Sequence, residues 1–182
     1  MRLVILGGPG SGKGTQSQKL SEHFSIPWIS TGDLLRSEIE ANSDLGQQVA
    51  TVLTQGQLVD DALMIDLIKQ RLQTLPADIG WILDGYPRTA FQAEELDFFL
   101  DESQIQVDQV VWLDAPIHTL IERSEYRGAI DDRPAALRRR IESLMAATVP
   151  MLDYYDYRQK LLRVDGTLTP DEVKRSILAG LA

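Results

Sequence analysis

The most constraining feature of this chain is seven residues long. "GGPGSGK" (7–13) sets Gly7, Gly12 and Lys13 in a G-x-x-x-x-G-K spacing. It follows the short apolar run "RLVIL" (2–6) and opens a stretch of helical period. A strand entering a helix through such a turn is the setting in which this spacing binds phosphate. Glycines let the backbone turn tightly, successive N–H groups converge on phosphate oxygens, the helix N-terminus adds partial positive charge, and the lysine reaches the terminal phosphates. A dinucleotide fingerprint beginning at Gly8 and Gly10 fails, because it needs glycine at position 13, where lysine stands. The loop also departs from its common form. Gly14 follows the lysine where Ser or Thr is usual, and the hydroxyl arrives one residue late, at Thr15.

The rest of the chain alternates short apolar runs with longer helical patterns. Strands are expected at 2–6, 26–30 ("IPWIS"), 80–84 ("GWILD"), 109–114 ("QVVWLD") and 161–165 ("LLRVD"). Their apolar content, with little alternation, indicates strands buried on both faces. Helices are expected near 12–23, 31–41, 61–73, 89–100, 116–126, 134–157 and 170–180. Pro134 and Pro170 suit helix starts. The alternation predicts an α/β fold, a parallel sheet wrapped by helices with right-handed crossovers. At 182 residues the chain is expected to form one domain. Two stretches break the rhythm: 31–60, helical but without a strand, and 123–133, "RSEYRGAIDDR", which is charged and aperiodic. Both follow a strand or strand–helix unit at the edge where open parallel sheets bind ligands, so both are read as flaps over a ligand.

Composition removes several classes. The net charge of −9 argues against a nucleic-acid partner. The absence of cysteine removes disulfides, a cysteine zinc site and a thiol nucleophile. No run approaches the ~20 apolar residues of a membrane helix. The chain is read as a cytoplasmic monomer with neither membrane nor nucleic-acid partner.

"GGPGSGKGT" resembles the loop of the nucleoside monophosphate kinases. "STGDLLR" (30–36), "GQLVDD" (56–61), "LDGYPRTAFQAEEL" (83–96) and "RGAIDDRPAALRRRI" (127–141) extend the resemblance over nearly the whole chain, and together they resemble the adenylate kinases, of the short-lid type. The resemblance implies a five-stranded parallel sheet with helices on both faces. It also implies a helical monophosphate-binding insertion at 30–59, a short lid at 123–133, and reversible Mg2+-dependent phosphoryl transfer from ATP to AMP, giving two ADP. A related reading is a kinase of UMP or CMP. A reading of another class is a weakly active or inactive nucleotide-binding regulator.

The residues suit such chemistry on their own terms. Phosphoryl transfer asks mainly for positioning and charge neutralisation, and arginine offers a planar fork to two phosphate oxygens. By resemblance, Gly10, Ser11, Gly12, Lys13, Gly14 and Thr15 hold ATP. Arg36 and Arg88 grip the AMP phosphate. Thr31, which also suits a helix cap, and Gln92 meet the AMP base, with Gln57, Leu58 and Val59 walling its pocket. Gly85 allows close approach, next to Tyr86 and Pro87 of the same motif. Arg123 and Arg127 face the ATP phosphates, and Arg140 reaches the transferred phosphate and AMP. A backbone carbonyl near Leu168 meets the ATP adenine. Asp84 organises Mg2+ through water, and no zinc is implied. Asp131 and Asp132 match the lid's acidic pair. Where short-lid relatives carry a further lid arginine this chain has Ala129, with Arg133, Arg138 and Arg139 as neighbours able to replace it. Trp81 and Trp112 are expected in the core, and Tyr154, Tyr155 and Tyr157 in packing or at the surface.

Overall fold

The first strand is apolar at every central position because both of its faces are covered. In the computed structural model β1 (Arg2–Gly7) lies at the centre of a five-stranded sheet. Leu3 and Ile5 point into one core, Val4 and Leu6 into the other, as a period of two requires. The structure describes residues 1–55, 57, 59–76, 78–125 and 134–181, with the side chains at 125, 134–136, 138–140, 142, 143 and 145 outside that description.

The remaining elements follow in alternation. They are α1 (Lys13–Phe24), β2 (Trp28–Ser30), α2 (Thr31–Glu40), α3 (Asp44–Thr54), α4 (Asp61–Gln73), β3 (Trp81–Asp84), α5 (Ala90–Glu102), β4 (Gln109–Asp114), α6 (Ile117–Glu125), α7 (Pro134–Tyr157), β5 (Leu161–Asp165) and α8 (Pro170–Gly180). All strand pairs are parallel, in the order β2-β3-β1-β4-β5. The expected α/β class, the five strands and the helices on both faces are all present. The strand expected over 26–30 begins only at Trp28. Pro27 has no N–H to give a ladder and serves as an acceptor alone, for Ile82 N–H at 2.9 Å.

On one face α1 and α8 cover Leu3, Ile5, Ile82, Val111 and Leu113, through Leu20, Val173 and Ile177. On the other, Val4, Leu83, Trp81, Val110 and Trp112 join residues of α2 to α5 and α7. Trp81 and Trp112 are thus core residues, and Tyr155 is fully buried beside them while Tyr157 is exposed. Capping follows side-chain chemistry. Thr169 and Glu172 form a reciprocal box at the start of α8, with Pro170 in its first turn. The cap of α2 is Ser30, whose hydroxyl accepts from Asp33 N–H at 3.2 Å. Thr31 is therefore not the cap: it is the first helical residue, turned inward.

The registers Ile5 with Asp84, Ser30 with Asp84, Gly7 with Leu113 and Asp114 with Asp165 align the strand ends along one edge. The chain leaves central β1 for one half of the sheet and later returns to fill the other. Such a switch point opens a crevice at that edge. α2 and α3 stand between β2 and α4, with Leu35 and Val49 buried beneath them.

Candidate active site

The loop between β1 and α1 has a conformation that glycine permits. Gly10 and Gly12 have φ of +76° and +93°. A Cβ on Gly10 would come within 2.6 Å of the Leu120 carbonyl, so α6 presses on the loop from outside. Gly12 precedes α1 and offers no side-chain cap, which leaves the first N–H groups of the helix for a ligand. Ser11 N–H donates to the Gly8 carbonyl at 3.1 Å, and Lys13 Nζ folds back onto the same carbonyl at 2.9 Å. Ser11 is buried, whereas Thr15 is exposed on the first turn.

Asp84 ends β3, and its Oδ2 lies 3.7 Å from where a Cβ on Gly14 would stand. Burial raises its pKa, while Lys13, the Trp28 indole N–H and Arg88 act in the opposite direction. Its backbone carbonyl accepts from Thr31 Oγ1 at 3.0 Å. Gly85 follows with φ of +81°, and a Cβ there would lie 2.9 Å from Thr31 Oγ1. The expected close approach is therefore made first by the protein itself. Tyr86 is buried and its peptide bond to Pro87 is cis.

Arg88 stands on the next turn. Its Nε donates to the Gly85 carbonyl at 2.8 Å, and its backbone N–H donates to Gln92 Oε1 at 2.8 Å. Gln92 is buried, and its Nε2 donates to Asp61 Oδ1 at 2.8 Å. Both ends of the amide are engaged within the protein. Arg36 is exposed on α2 and pairs with Asp33 at 2.6 Å. Val59 is buried in the core and Gln57 is exposed.

Across the loop, Arg123 of α6 donates to the carbonyls of Gly166 at 2.6 Å and Thr167 at 3.0 Å. It ties α6 to the turn after β5, where Leu168 is partly exposed. Beside that turn lies a groove of about 630 Å³ lined by Asp114, Pro116, Arg163, Asp165 and Thr167 among others. Leu58, Arg127, Ala129, Asp131, Asp132 and Arg133 lie outside the described residues, as do the side chains of Arg138, Arg139 and Arg140.

Among the described residues no three His, Asp or Glu side chains gather into a metal-holding group. Mg2+ does not need one, since it binds through one or two carboxylates together with substrate phosphates and water. One buried carboxylate, Asp84, beside a phosphate-binding loop fits that demand. Two contributors have little in the sequence to mark them. Asp61 sits within the quoted "GQLVDD", but its partner Gln92 is 31 residues away. Trp28 sits in a strand whose apolar pattern marks it only as core.

A parallel sheet with a glycine loop running from its central strand into a helix, and with arginines and a carboxylate at the neighbouring strand ends, defines a nucleotide-binding α/β protein of the phosphate-loop class. Comparison with known proteins narrows the class. A family model described as "Adenylate kinase" matches residues 5–160. "Adenylate kinase 2" of Nostoc sp. is 48% identical over 178 residues, covering 98% of this chain and 97% of that protein. "Adenylate kinase 2" of Synechocystis sp. is 46% identical over 181 residues, all of both chains. "Adenylate kinase" of Xylella fastidiosa is 45% identical over 185 residues, all of this chain and 99% of that protein. The chain belongs to the adenylate kinase family.

Proposed function

We propose that the chain catalyses reversible phosphoryl transfer from ATP to AMP, giving two ADP. The observation that carries the reading is the division of the crevice into two anion-facing sides. The β1–α1 loop with Lys13 lies on one, Arg36 and Arg88 follow β2 and β3 on the other, and Asp84 stands between.

On this reading, backbone N–H groups of Gly10, Ser11, Gly12, Lys13, Gly14 and Thr15 hold the ATP phosphates. Lys13 leaves the Gly8 carbonyl to follow charge onto the migrating group. Arg36 and Arg88 hold the AMP phosphate in line for attack. That phosphate is already ionised, so no protein base is needed. Thr31, Gln92, Gln57, Leu58 and Val59 surround the AMP base, Gly85, Tyr86 and Pro87 shape the floor, and the carbonyl near Leu168 meets the ATP adenine. Arg123, Arg127 and Arg140 neutralise the charge that spreads over the equatorial oxygens. Mg2+ bound with ATP supplies further neutralisation, and Asp84 would hold it through water. Residues 30–59 and 123–133 act as the two flaps, which exclude water when both nucleotides are present.

The proposal includes a monomer in the cytoplasm with no nucleic-acid or membrane partner. The charge of −9 supports the absence of a nucleic-acid partner. Among the described residues no helix is long and apolar enough to cross a membrane. A coupled assay of ADP formation, with AMP, CMP and UMP in parallel, tests the reading. Turnover with AMP as the best acceptor is expected. A clear preference for CMP or UMP overturns the acceptor assignment, and no turnover with any acceptor overturns the enzyme.

A further inference from the structure

Gly14 follows the lysine of the loop and has no left-handed backbone. A Cβ built there meets only ordinary van der Waals neighbours: Asp84 Oδ2 and Trp28 Cζ2, each at 3.7 Å, and Trp28 Cη2 at 3.9 Å. These neighbours show what the position faces. Three elements converge on one spot, α1 through Gly14, β2 through Trp28 and β3 through Asp84. In register, Trp28 pairs with Ile82, and Asp84 lies two residues further along the same strand, on the same face.

The Trp28 ring packs against the core under α1, and its Nε1 is buried without a hydrogen-bond partner. A buried donor left unbonded is costly, so a native one calls for an explanation. The acceptor beside it is the Asp84 carboxylate, which is itself buried. The indole N–H lies close enough to favour the ionised carboxylate, short of a completed hydrogen bond. An indole donates and never accepts, and it carries no charge. It can therefore orient one carboxylate oxygen without competing for a cation, which Lys13 and Arg88, being charged, cannot do without repelling it.

We propose that Trp28 is a positioning residue for Asp84, its N–H steering the carboxylate toward the phosphate loop. This rests on the reading of Asp84 as the carboxylate serving Mg2+·ATP. On nucleotide binding the N–H completes its bond to one Asp84 oxygen, and the other stays available to a water of the Mg2+ shell.

Indole 15N–1H spectra of the nucleotide-free protein test the pairing without reference to activity. The Trp28 signal is assigned by its loss in Trp28→Phe. Asp84→Asn and Gly14→Ser are each expected to move it and to leave the signals of Trp81 and Trp112 in place. In steady-state assays Trp28→Phe, which keeps a ring but no donor, is expected to raise the Mg2+ concentration for half-maximal rate by about tenfold, with the KM for AMP nearly unchanged. Trp28→His, which keeps an N–H, is expected to recover most of that loss. A Trp28 signal indifferent to Asp84→Asn overturns the proposal, whether or not the Phe variant folds. So does a Mg2+ requirement unaltered in folded Trp28→Phe. A signal that moves while Asp84→Asn keeps the full rate and Mg2+ dependence would overturn the role given to Asp84, and the positioning role with it, while leaving the contact itself established.

Discussion

Gln92 Nε2 donates to Asp61 Oδ1 at 2.8 Å, joining the first turn of α5 to the first residue of α4. The same amide accepts from the Arg88 backbone N–H, so one carboxylate orients both the side chain assigned to the AMP base and the loop bearing an arginine assigned to its phosphate. Asp61→Ala is expected to raise the KM for AMP about two- to tenfold, the worth of an ordinary hydrogen bond, with the KM for ATP little changed. Steady-state titration of each nucleotide checks this. Equal rises in both would mean that Asp61 supports the fold at large.

Lys13→Met should keep the fold and lower kcat by about 10²–10³, the scale of losing one preorganised electrostatic contact to the reacting group. The lysine's bond to the Gly8 carbonyl is local, but its charge also faces the buried Asp84 carboxylate, so a modest fall in melting temperature is expected beside the loss of rate. Rate measurement beside thermal unfolding separates the two effects. A rate close to that of the parent would refute the role assigned to the loop.

Arg88 lies on the acceptor side, three residues past the glycine turn that ends β3. Arg88→Ala should weaken AMP binding by about 10- to 100-fold, as for a lost hydrogen bond to a charged group, and leave ATP binding nearly intact. Calorimetry with each nucleotide separately reads the difference. Comparable losses for both would place Arg88 between the two nucleotides instead.

Gly10 and Gly12 share a positive φ but differ in surroundings. A Cβ at 12 meets nothing within 4 Å, whereas at 10 it meets the Leu120 carbonyl at 2.6 Å, and that backbone cannot turn away. Gly12→Ala should cost about 1–2 kcal/mol of stability from the backbone conformation alone. Gly10→Ala should cost upwards of about 3 kcal/mol, since α6 must also shift. Denaturant midpoints of the two variants give the comparison.

Far from the crevice, Asp97 on α5 accepts from Tyr154 Oη at 2.9 Å and lies 3.6 Å from Arg158. Burial raises its pKa above the ordinary carboxylate value, outweighing the Tyr154 hydrogen bond and the charges of Lys160 and Arg158. A carboxyl with a raised folded-state pKa favours folding while protonated, and that stability is lost as pH rises through its folded pKa. Asp97→Asn keeps an acceptor for Tyr154 without the charge. The variant should therefore be at least as stable as the parent at neutral pH, and the gap should close as pH falls through the carboxylate range. Chemical unfolding at several pH values checks the sign.

The α/β alternation, the five strands and the glycine loop were legible in the sequence because each depends on neighbours in the chain. A strand covered on both faces must be apolar at successive positions, as in Leu3 to Leu6. A turn with positive φ needs glycine where it bends, as at Gly10 and Gly12. A helix start needs its capping chemistry within three residues, as at Thr169 and Glu172. The arginines after β2 and β3 were legible for a related reason: strand order sends those loops to one edge whatever the side chains do there.

What tertiary structure decided is how the side chains pair once that edge is built. Thr31 turns inward to the Asp84 carbonyl, and Ser30 takes the cap. Gln92, readable only as a helix residue with a useful amide, is buried and held at both ends by Asp61 and Arg88. Arg123, readable as one more lid arginine, closes on the Gly166 and Thr167 carbonyls. Trp28 looks like any aromatic strand residue until β3 and α1 bring Asp84 and Gly14 against it. Thr31 with Asp84, Gln92 with Asp61 and Arg123 with Gly166 each join elements far apart in the chain. These groups meet only after the sheet and its helices have packed, and for Thr31 and Gln92 the pairing satisfies polar atoms that packing buries.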